Sequence, residues 1–176
     1  MQQNKPAFRS IVQNFVPSWF ALVMGTAVAV PAIASLQKVI PFADALKIFF
    51  LILAFAAFLL ILIPWILRWF WFWNEAIESL KHPVSAAFVP TMPISLIVGG
   101  IALEKAGNLF LPEGFLTIVL QTLLVLGSTG ILLLGVLILT KFFPKRKRPW
   151  GAASFGWLIP PVSTLIVPLL GFSLAE

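Results

Sequence analysis

The chain alternates between long apolar stretches and short polar segments. Five of the stretches are long enough to cross a bilayer, whose hydrocarbon core requires about 20 helical residues. They predict transmembrane helices at residues 17–36, 46–67, 84–103, 115–139 and 152–174. None of the five contains Asp, Glu, Arg or His, and Lys47 stands only at the entrance of the second. The pattern therefore predicts an all-α polytopic membrane protein with a single transmembrane domain over residues 1–176.

Proline and glycine are distributed unevenly among the predicted spans. Span two carries only Pro64, near its end, and span four has no proline but three glycines typical of close helix packing: Gly127, Gly130 and Gly135. Helix breaks are predicted in the odd-numbered spans, at Pro31, Pro93, Pro160 and Pro161. A proline frees a backbone carbonyl, which neighbouring protein or water must satisfy inside a membrane. We therefore expect the odd-numbered spans to line a path and the even-numbered spans to face lipid.

Composition narrows the chemistry that this chain can support. Sixty per cent of the residues are apolar, 10% are charged and the mean hydropathy is +1.03, whereas a soluble domain averages about 25% charged residues. The sequence has no cysteine, which excludes disulfides and thiolate metal sites. His82 is the only histidine, and a lone histidine forms neither a metal site nor a catalytic pair. We predict no cofactor, no metal and no enzymatic activity.

The basic residues indicate the orientation of the chain. With the N-terminus inside, the outer loops hold Lys38, Lys47 and Lys105. The inner side then holds the remaining basic residues, which are Lys5, Arg9, Arg68, Lys81, Lys141, Lys145, Arg146, Lys147 and Arg148. This positive-inside bias predicts a cytoplasmic N-terminus in the cytoplasmic membrane. The net charge of +6 therefore reflects topology, and we expect the lipid bilayer and no nucleic acid as a partner.

Hydroxyl and phenylalanine side chains beside the predicted breaks are candidates for lining the path. The hydroxyl donors are Thr26, Thr91, Ser95 and Ser163. The candidate constriction residues each stand five positions before a Gly or Pro in an odd-numbered span, and they are Phe20, Phe88 and Phe155. A repeated helical-hairpin unit would produce such an echo. Ser and Thr in membrane helices also often bond their own backbone, so a structural role is the alternative for each hydroxyl.

The charge pattern favours an anion over a cation as the solute. No span offers a carboxylate that could hold a cation or relay protons. Broken helices expose backbone N–H groups whose partial positive charge suits anions. The hydroxyl donors and the basic inner side act in the same direction.

Three motifs resemble the tellurite-resistance/dicarboxylate transporter family. Residues 15–26, FVPSWFALVMGT, resemble its first span, in which a proline and a Trp-Phe pair precede Met-Gly-Thr-Gly. His82-Pro83-Val84, followed by Phe88 and Pro93, resembles the start of its third span, and WLIPPV at 157–162 resembles its fifth. One departure is Ala27, which stands where the family has the last glycine of its first motif. The family includes tellurite-resistance proteins, yeast malate and sulfite transporters and slow-type plant anion channels.

The resemblance implies a fold of ten helices in five hairpins, with odd helices around a pore and trimers as the assembly. This chain would supply the first five helices, and the family's pore-occluding phenylalanine would lie beyond residue 176. The expected function is transport of small anions, above all C4-dicarboxylates such as malate. Two alternatives stay open within the family: a passive channel for chloride, nitrate or sulfite, and a tellurite-resistance protein. A truncated, non-transporting membrane subunit is a further alternative.

Overall fold

The computed structural model describes residues 7–81, 83–142 and 158–174, and all regular structure in these ranges is helical. A 3₁₀ turn at Pro17–Trp19 leads into the second helix. The helices are α1 (Ala7–Gln13), α2 (Phe20–Ser35), α3 (Ala43–Trp71), α4 (Trp73–Lys81), α5 (Pro83–Ala87), α6 (Thr91–Gly107), α7 (Glu113–Phe142) and α8 (Ile159–Ser173).

The lengths of the apolar helices confirm the predicted fold class. In the described ranges, the segments long and apolar enough to cross a membrane are Pro17–Ser35, Ala43–Trp71, Ser85–Gly107 and Glu113–Ile138. They coincide with the first four predicted spans. In the region of the fifth, the described residues form a shorter apolar helix, Pro161–Phe172, and residues 152–157 lie outside the described residues. The protein is therefore an all-α, multi-pass membrane protein, and its fifth span stays a prediction.

The helix breaks differ from those predicted. Helix α2 continues through Pro31 without interruption, so the predicted break there is wrong; a proline removes one helical hydrogen bond but does not always end the helix. Span three is interrupted at residues 88–90, between α5 and α6, and Pro93 is the third residue of α6. Pro160 and Pro161 are likewise the second and third residues of α8. These prolines stand where a first-turn N–H would lack a helical partner anyway.

Helix α6 occupies the centre of the bundle. It contacts α2, α3, α7 and α8. In the most apolar 18-residue stretch of span three, Ser85–Gly107, 67% of the residues are buried, compared with 17–22% in the other three spans. Helix α3 also contacts α2, and α7 also contacts α8. Helices α2 and α6, which are spans one and three, therefore form a row with α8, which lies in the predicted fifth span. Helix α3 (span two) covers the junction of α2 and α6, and helix α7 (span four) covers the junction of α6 and α8.

Two glycines of α7 allow it to approach α6 closely. A Cβ atom on Gly127 would lie 2.5 Å from Ile97 Cδ1 and 3.2 Å from the Pro93 carbonyl oxygen. A Cβ atom on Gly130 would lie 2.8 Å from Pro93 Cβ. Pro93 is therefore seated in a notch formed by Gly127 and Gly130, as small residues at a membrane helix interface permit. The close packing predicted at Gly135 is not found within the described part of the chain, where a Cβ atom on that glycine would have no neighbouring atom within 4 Å.

We expect Gly127→Ala to lower the free energy of unfolding by about 1–3 kcal/mol, because the added methyl overpacks the notch. Gly135→Ala is the matched control on the same helix, and its open surroundings leave only the better helix propensity of alanine. Thermal or denaturant unfolding of both variants in detergent micelles measures the difference. Equal stability of the two variants would contradict the notch.

Candidate functional site

The predicted path residues lie on the row of odd-numbered spans. Thr26 is on α2, Thr91 and Ser95 are on α6, and Ser163 is on α8. Thr91, Ser95 and Ser163 are buried, at 1%, 2% and 1% exposure, whereas Thr26 is half-buried. Phe155 lies outside the described residues. The structure thus places the four hydroxyls on neighbouring helices, with Thr26 the most accessible.

Two of these hydroxyls donate to their own helix. Thr26 Oγ1 lies 3.0 Å from the carbonyl oxygens of both Leu22 and Val23. Ser95 Oγ lies 2.6 Å from the Met92 carbonyl oxygen. A hydroxyl has a single hydrogen, so each of these side chains turns lone pairs rather than a donor toward any other group. Their predicted role as donors to a solute stays a prediction and requires the hydroxyl to rotate.

The Thr91 hydroxyl connects two spans. Its Oγ1 lies 2.8 Å from the carbonyl oxygen of Pro17 and 2.6 Å from that of Phe88. The first contact reaches the 3₁₀ turn before α2, and the second reaches the interruption before α6. The places where spans one and three depart from α-helix are therefore adjacent. Because 74 positions separate Thr91 from Pro17, no local sequence pattern reveals this contact.

The two described phenylalanine candidates differ in their surroundings. Phe20 is fully buried, and its ring centroid lies 6.0 Å from Phe58, 6.3 Å from Trp65 and 6.2 Å from Phe15. Phe20 therefore fills the interface between α2 and α3. Phe88 lies in the interruption before α6 and is half-buried. Of the two, only Phe88 has the exposed side-chain surface that a constriction residue requires.

A buried arginine joins three segments at the end of the bundle that carries α1 and α4, here called the α1/α4 end. Arg68 is 8% exposed; its Nη1 donates to the Phe15 carbonyl and its Nη2 lies 3.4 Å from the Glu75 carbonyl oxygen. Glu75 Oε1 lies 3.4 Å from Gln13 Nε2. Arg9 adds a second cation here, 5.8 Å from the centroid of the Phe72 ring. Sequence reasoning counted Arg68 only as a loop charge and missed these contacts.

A buried lysine stands at the opposite end of the same helix. Lys47 is 4% exposed, and its Nζ lies 2.7 Å from Asp44 Oδ1 and 3.2 Å from Gln37 Oε1. The carboxylate offsets the cost of removing the ammonium from water. Lys47 and Arg68 share the buried face of α3 and lie about 30 Å apart along its axis, close to the thickness of a bilayer core. A buried cation therefore marks each end of span two.

The cavity between α3 and α7 is apolar, unlike the charged ends of span two. It has a volume of about 370 Å³ and reaches Ser95, Gly99 and Leu103 on α6. Its other lining residues are apolar, and the Ser95 hydroxyl is committed to the Met92 carbonyl. An anion would lose its hydration there without gaining a partner. This cavity is therefore unsuited to an anion path.

The described residues contain no group of three His, Cys, Asp or Glu side chains able to hold a metal ion.

Comparison with known proteins identifies the family of this chain. Residues 14–176 match the family described as voltage-dependent anion channel. The chain belongs to this family. The family prediction drawn from the three sequence motifs is thereby confirmed.

Two relatives of this chain come from Methanocaldococcus jannaschii, and each is described as an uncharacterized transporter. One is 33% identical over 162 residues and the other 33% identical over 167 residues, which cover 92% and 93% of this chain. The chain spans only 44% and 46% of the lengths of these relatives. No solved structure matches the chain.

We expect Phe20→Ala to destabilise the bundle by about 1–3 kcal/mol. The loss is smaller than the 3–5 kcal/mol typical of soluble cores, because separated helices keep the ring in lipid and only packing is lost. Phe70→Ala is the control, since Phe70 is 80% exposed. Unfolding in micelles gives both values, and a Phe20→Ala variant as stable as Phe70→Ala would contradict the buried position.

We expect Asp44→Asn to lower the free energy of unfolding by about 1–3 kcal/mol, because Lys47 stays buried without its counter-ion. Adding Lys47→Met to that variant should restore part of the loss. Glu104→Gln serves as control, because its partner Lys105 is 44% exposed and such pairs contribute about 1 kcal/mol or less. The same unfolding assay applies, and a double variant less stable than Asp44→Asn would contradict the assignment.

Proposed function

We propose that this chain forms part of a path for small anions across the cytoplasmic membrane, with its N-terminus in the cytoplasm. The observation that carries the proposal is the row formed by α2, α6 and α8, with each junction covered by α3 or α7. Membership of a family described as voltage-dependent anion channels supports the same function. The proposal concerns the share of the path that this chain provides.

The charges of the described residues favour anions over cations. The acidic residues of the apolar spans stand only at span ends, at Asp44, Glu104 and Glu113. A cation path would need a carboxylate at depth. Arg68 instead places a buried positive charge at the α1/α4 end of span two, whereas the charge of Lys47 at the other end is offset by Asp44. A positive charge at that end raises the local concentration of anions near one opening of the path.

Among anions, we propose C4-dicarboxylates such as malate as the substrates, on the strength of the family resemblance. A passive channel for chloride, nitrate or sulfite is the second candidate, and the family description favours it. Tellurite resistance and a non-transporting subunit remain as further alternatives. We also propose a homotrimer as the assembly, by the same resemblance.

The proposed path residues remain Thr26, Thr91, Ser95 and Ser163, with Phe20, Phe88 and Phe155 as candidate constriction residues. Thr26 and Phe88 are the sharpest members to test, because both are partly exposed on the row of odd-numbered spans. The buried hydroxyls contribute to the path through the helices that they hold in place.

We expect liposomes containing the purified chain to take up labelled malate down its concentration gradient, and excess sulfite or chloride to compete. Uptake of malate that rises with an imposed proton gradient would favour a coupled transporter. Equal conductance for chloride and nitrate without a gradient effect would favour the passive channel. An absence of flux for every anion would contradict the proposed path and favour the non-transporting subunit.

We expect Thr26→Val to lower anion flux severalfold, and Phe88→Ala to raise it, because one removes a hydroxyl from the path and the other widens it. Thr122→Val is the matched control for the first, since Thr122 makes the same bond to the carbonyl four residues earlier, on α7. Phe55→Ala is the control for the second, at 62% exposure on α3. Equal effects in variants and controls would contradict a path along the odd-numbered spans.

A further inference from the structure

The backbone between α1 and α2 enters the bundle in an extended conformation. Val16 has φ −115° and ψ 124°, and the carbonyls on either side of it accept hydrogen bonds from other spans. The Phe15 carbonyl accepts from Arg68 of α3, and the Pro17 carbonyl accepts from Thr91 of α6. The Pro17 carbonyl also accepts from the Phe20 backbone N–H, whereas the Phe15 carbonyl, beside the extended residue Val16, is reached by the Arg68 side chain. Backbone that departs from helix at the edge of a membrane needs such donors from within the protein.

Both donors are shielded from water. Arg68 is 8% exposed and Thr91 is 1% exposed, so water cannot readily replace either hydrogen bond. Val16 lies between the two held carbonyls and is 41% exposed. Segment 15–17 is therefore hydrogen-bonded to two other spans, while the Val16 side chain remains accessible.

We propose that Arg68 and Thr91 are positioning residues for anion passage: together they hold segment 15–17 between spans two and three and so set where span one begins. The inference rests on the proposed function and deepens it. The Thr91 hydroxyl also lies 2.6 Å from the Phe88 carbonyl oxygen and shares its single hydrogen between the two carbonyls, so it links the start of span one to the interruption of span three. The N-terminal ends of α2 and α6 are thereby placed relative to each other.

Arg68 extends this hold to the surface of the protein. Its second nitrogen reaches the Glu75 carbonyl in α4, and the Glu75 carboxylate lies within reach of Gln13 in α1. One guanidinium therefore links α4 to segment 15–17. A lysine ammonium lacks the planar fork that reaches both carbonyls at once, so Arg68→Lys keeps the charge and loses the hold.

The competing explanation is that Arg68 acts only as a positive charge at the opening of the path. Arg9 provides the comparison, because it carries the same charge at the α1/α4 end but contacts the Phe72 ring instead of segment 15–17. A charge effect would make Arg9→Gln and Arg68→Gln equivalent and would spare Arg68→Lys. A positioning effect would spare Arg9→Gln and impair Arg68→Lys.

The first test measures the hold itself and needs no flux. The chain has no cysteine, so Val16→Cys gives a single thiol for a water-soluble maleimide. We expect Arg68→Lys or Thr91→Val to raise the labelling rate about threefold to tenfold, the factor that loss of one buried hydrogen bond allows. Thr91→Ser keeps the hydroxyl and should label like the parent.

Leu36→Cys, just after the far end of α2, is the reference thiol, at 53% exposure. Its labelling rate should stay unchanged in all these variants. An unchanged rate at Val16→Cys in both Arg68→Lys and Thr91→Val would overturn the proposal. Equal rises at both thiols would overturn it too, because they would indicate general loosening of the bundle.

The second test measures anion flux in liposomes. We expect Arg68→Lys and Thr91→Val each to lower flux severalfold, Thr91→Ser to restore it, and the double variant to be no worse than the poorer single one, as for two residues that hold one segment. Equal losses in Arg9→Gln and Arg68→Gln, with full flux in Arg68→Lys, would overturn the positioning role. Absence of flux in the parent chain would instead refute the proposed function, and the labelling test would still decide whether segment 15–17 is held.

Discussion

A backbone carbonyl inside a membrane must find its donor within the protein, and this constraint governs where the spans depart from helix. The departures before α2 and α6 lie against each other at Thr91, whose single hydroxyl hydrogen is shared between the carbonyls of Pro17 and Phe88. The backbone N–H groups of Phe20 and Thr91 also donate to these two carbonyls. Arg68 does the same for the Phe15 carbonyl. Irregular backbone is thus confined to places that side chains of neighbouring spans can reach.

The close packing of α6 follows from the same environment. Lipid is as apolar as the helix faces, so burial of apolar area adds little and small residues that allow close approach matter more. The notch of Gly127 and Gly130 receives Pro93 on one side of α6, while Thr91 bonds toward α2 on another. The first turn of α6 is therefore fixed from two directions, which explains why it is the best-buried span.

Fold class, the first four spans and the family could be predicted from the sequence, because span length and short motifs are local properties of the chain. The contacts that build the candidate site could not, since Thr91 meets Pro17 across 74 positions. The predicted break at Pro31 is wrong because a proline removes one hydrogen bond from a helix without necessarily ending it. Arg68 was counted as a loop charge because hydropathy ends span two at residue 67, whereas α3 continues to Trp71 and carries the guanidinium into the protein.

The same contacts bear on how a passing anion would be held. In the proposed path, Thr26, Thr91 and Ser95 direct their hydrogens at backbone carbonyls, so an anion would meet few free hydroxyl donors. The buried cations Lys47 and Arg68 stand at the ends of span two, and each is engaged with protein oxygens. Such a path would bind anions weakly along its length. Weak binding is what rapid conduction requires, because an ion that is held tightly leaves slowly. The geometry therefore suits a channel-like passage at least as well as a transporter with a tight central site.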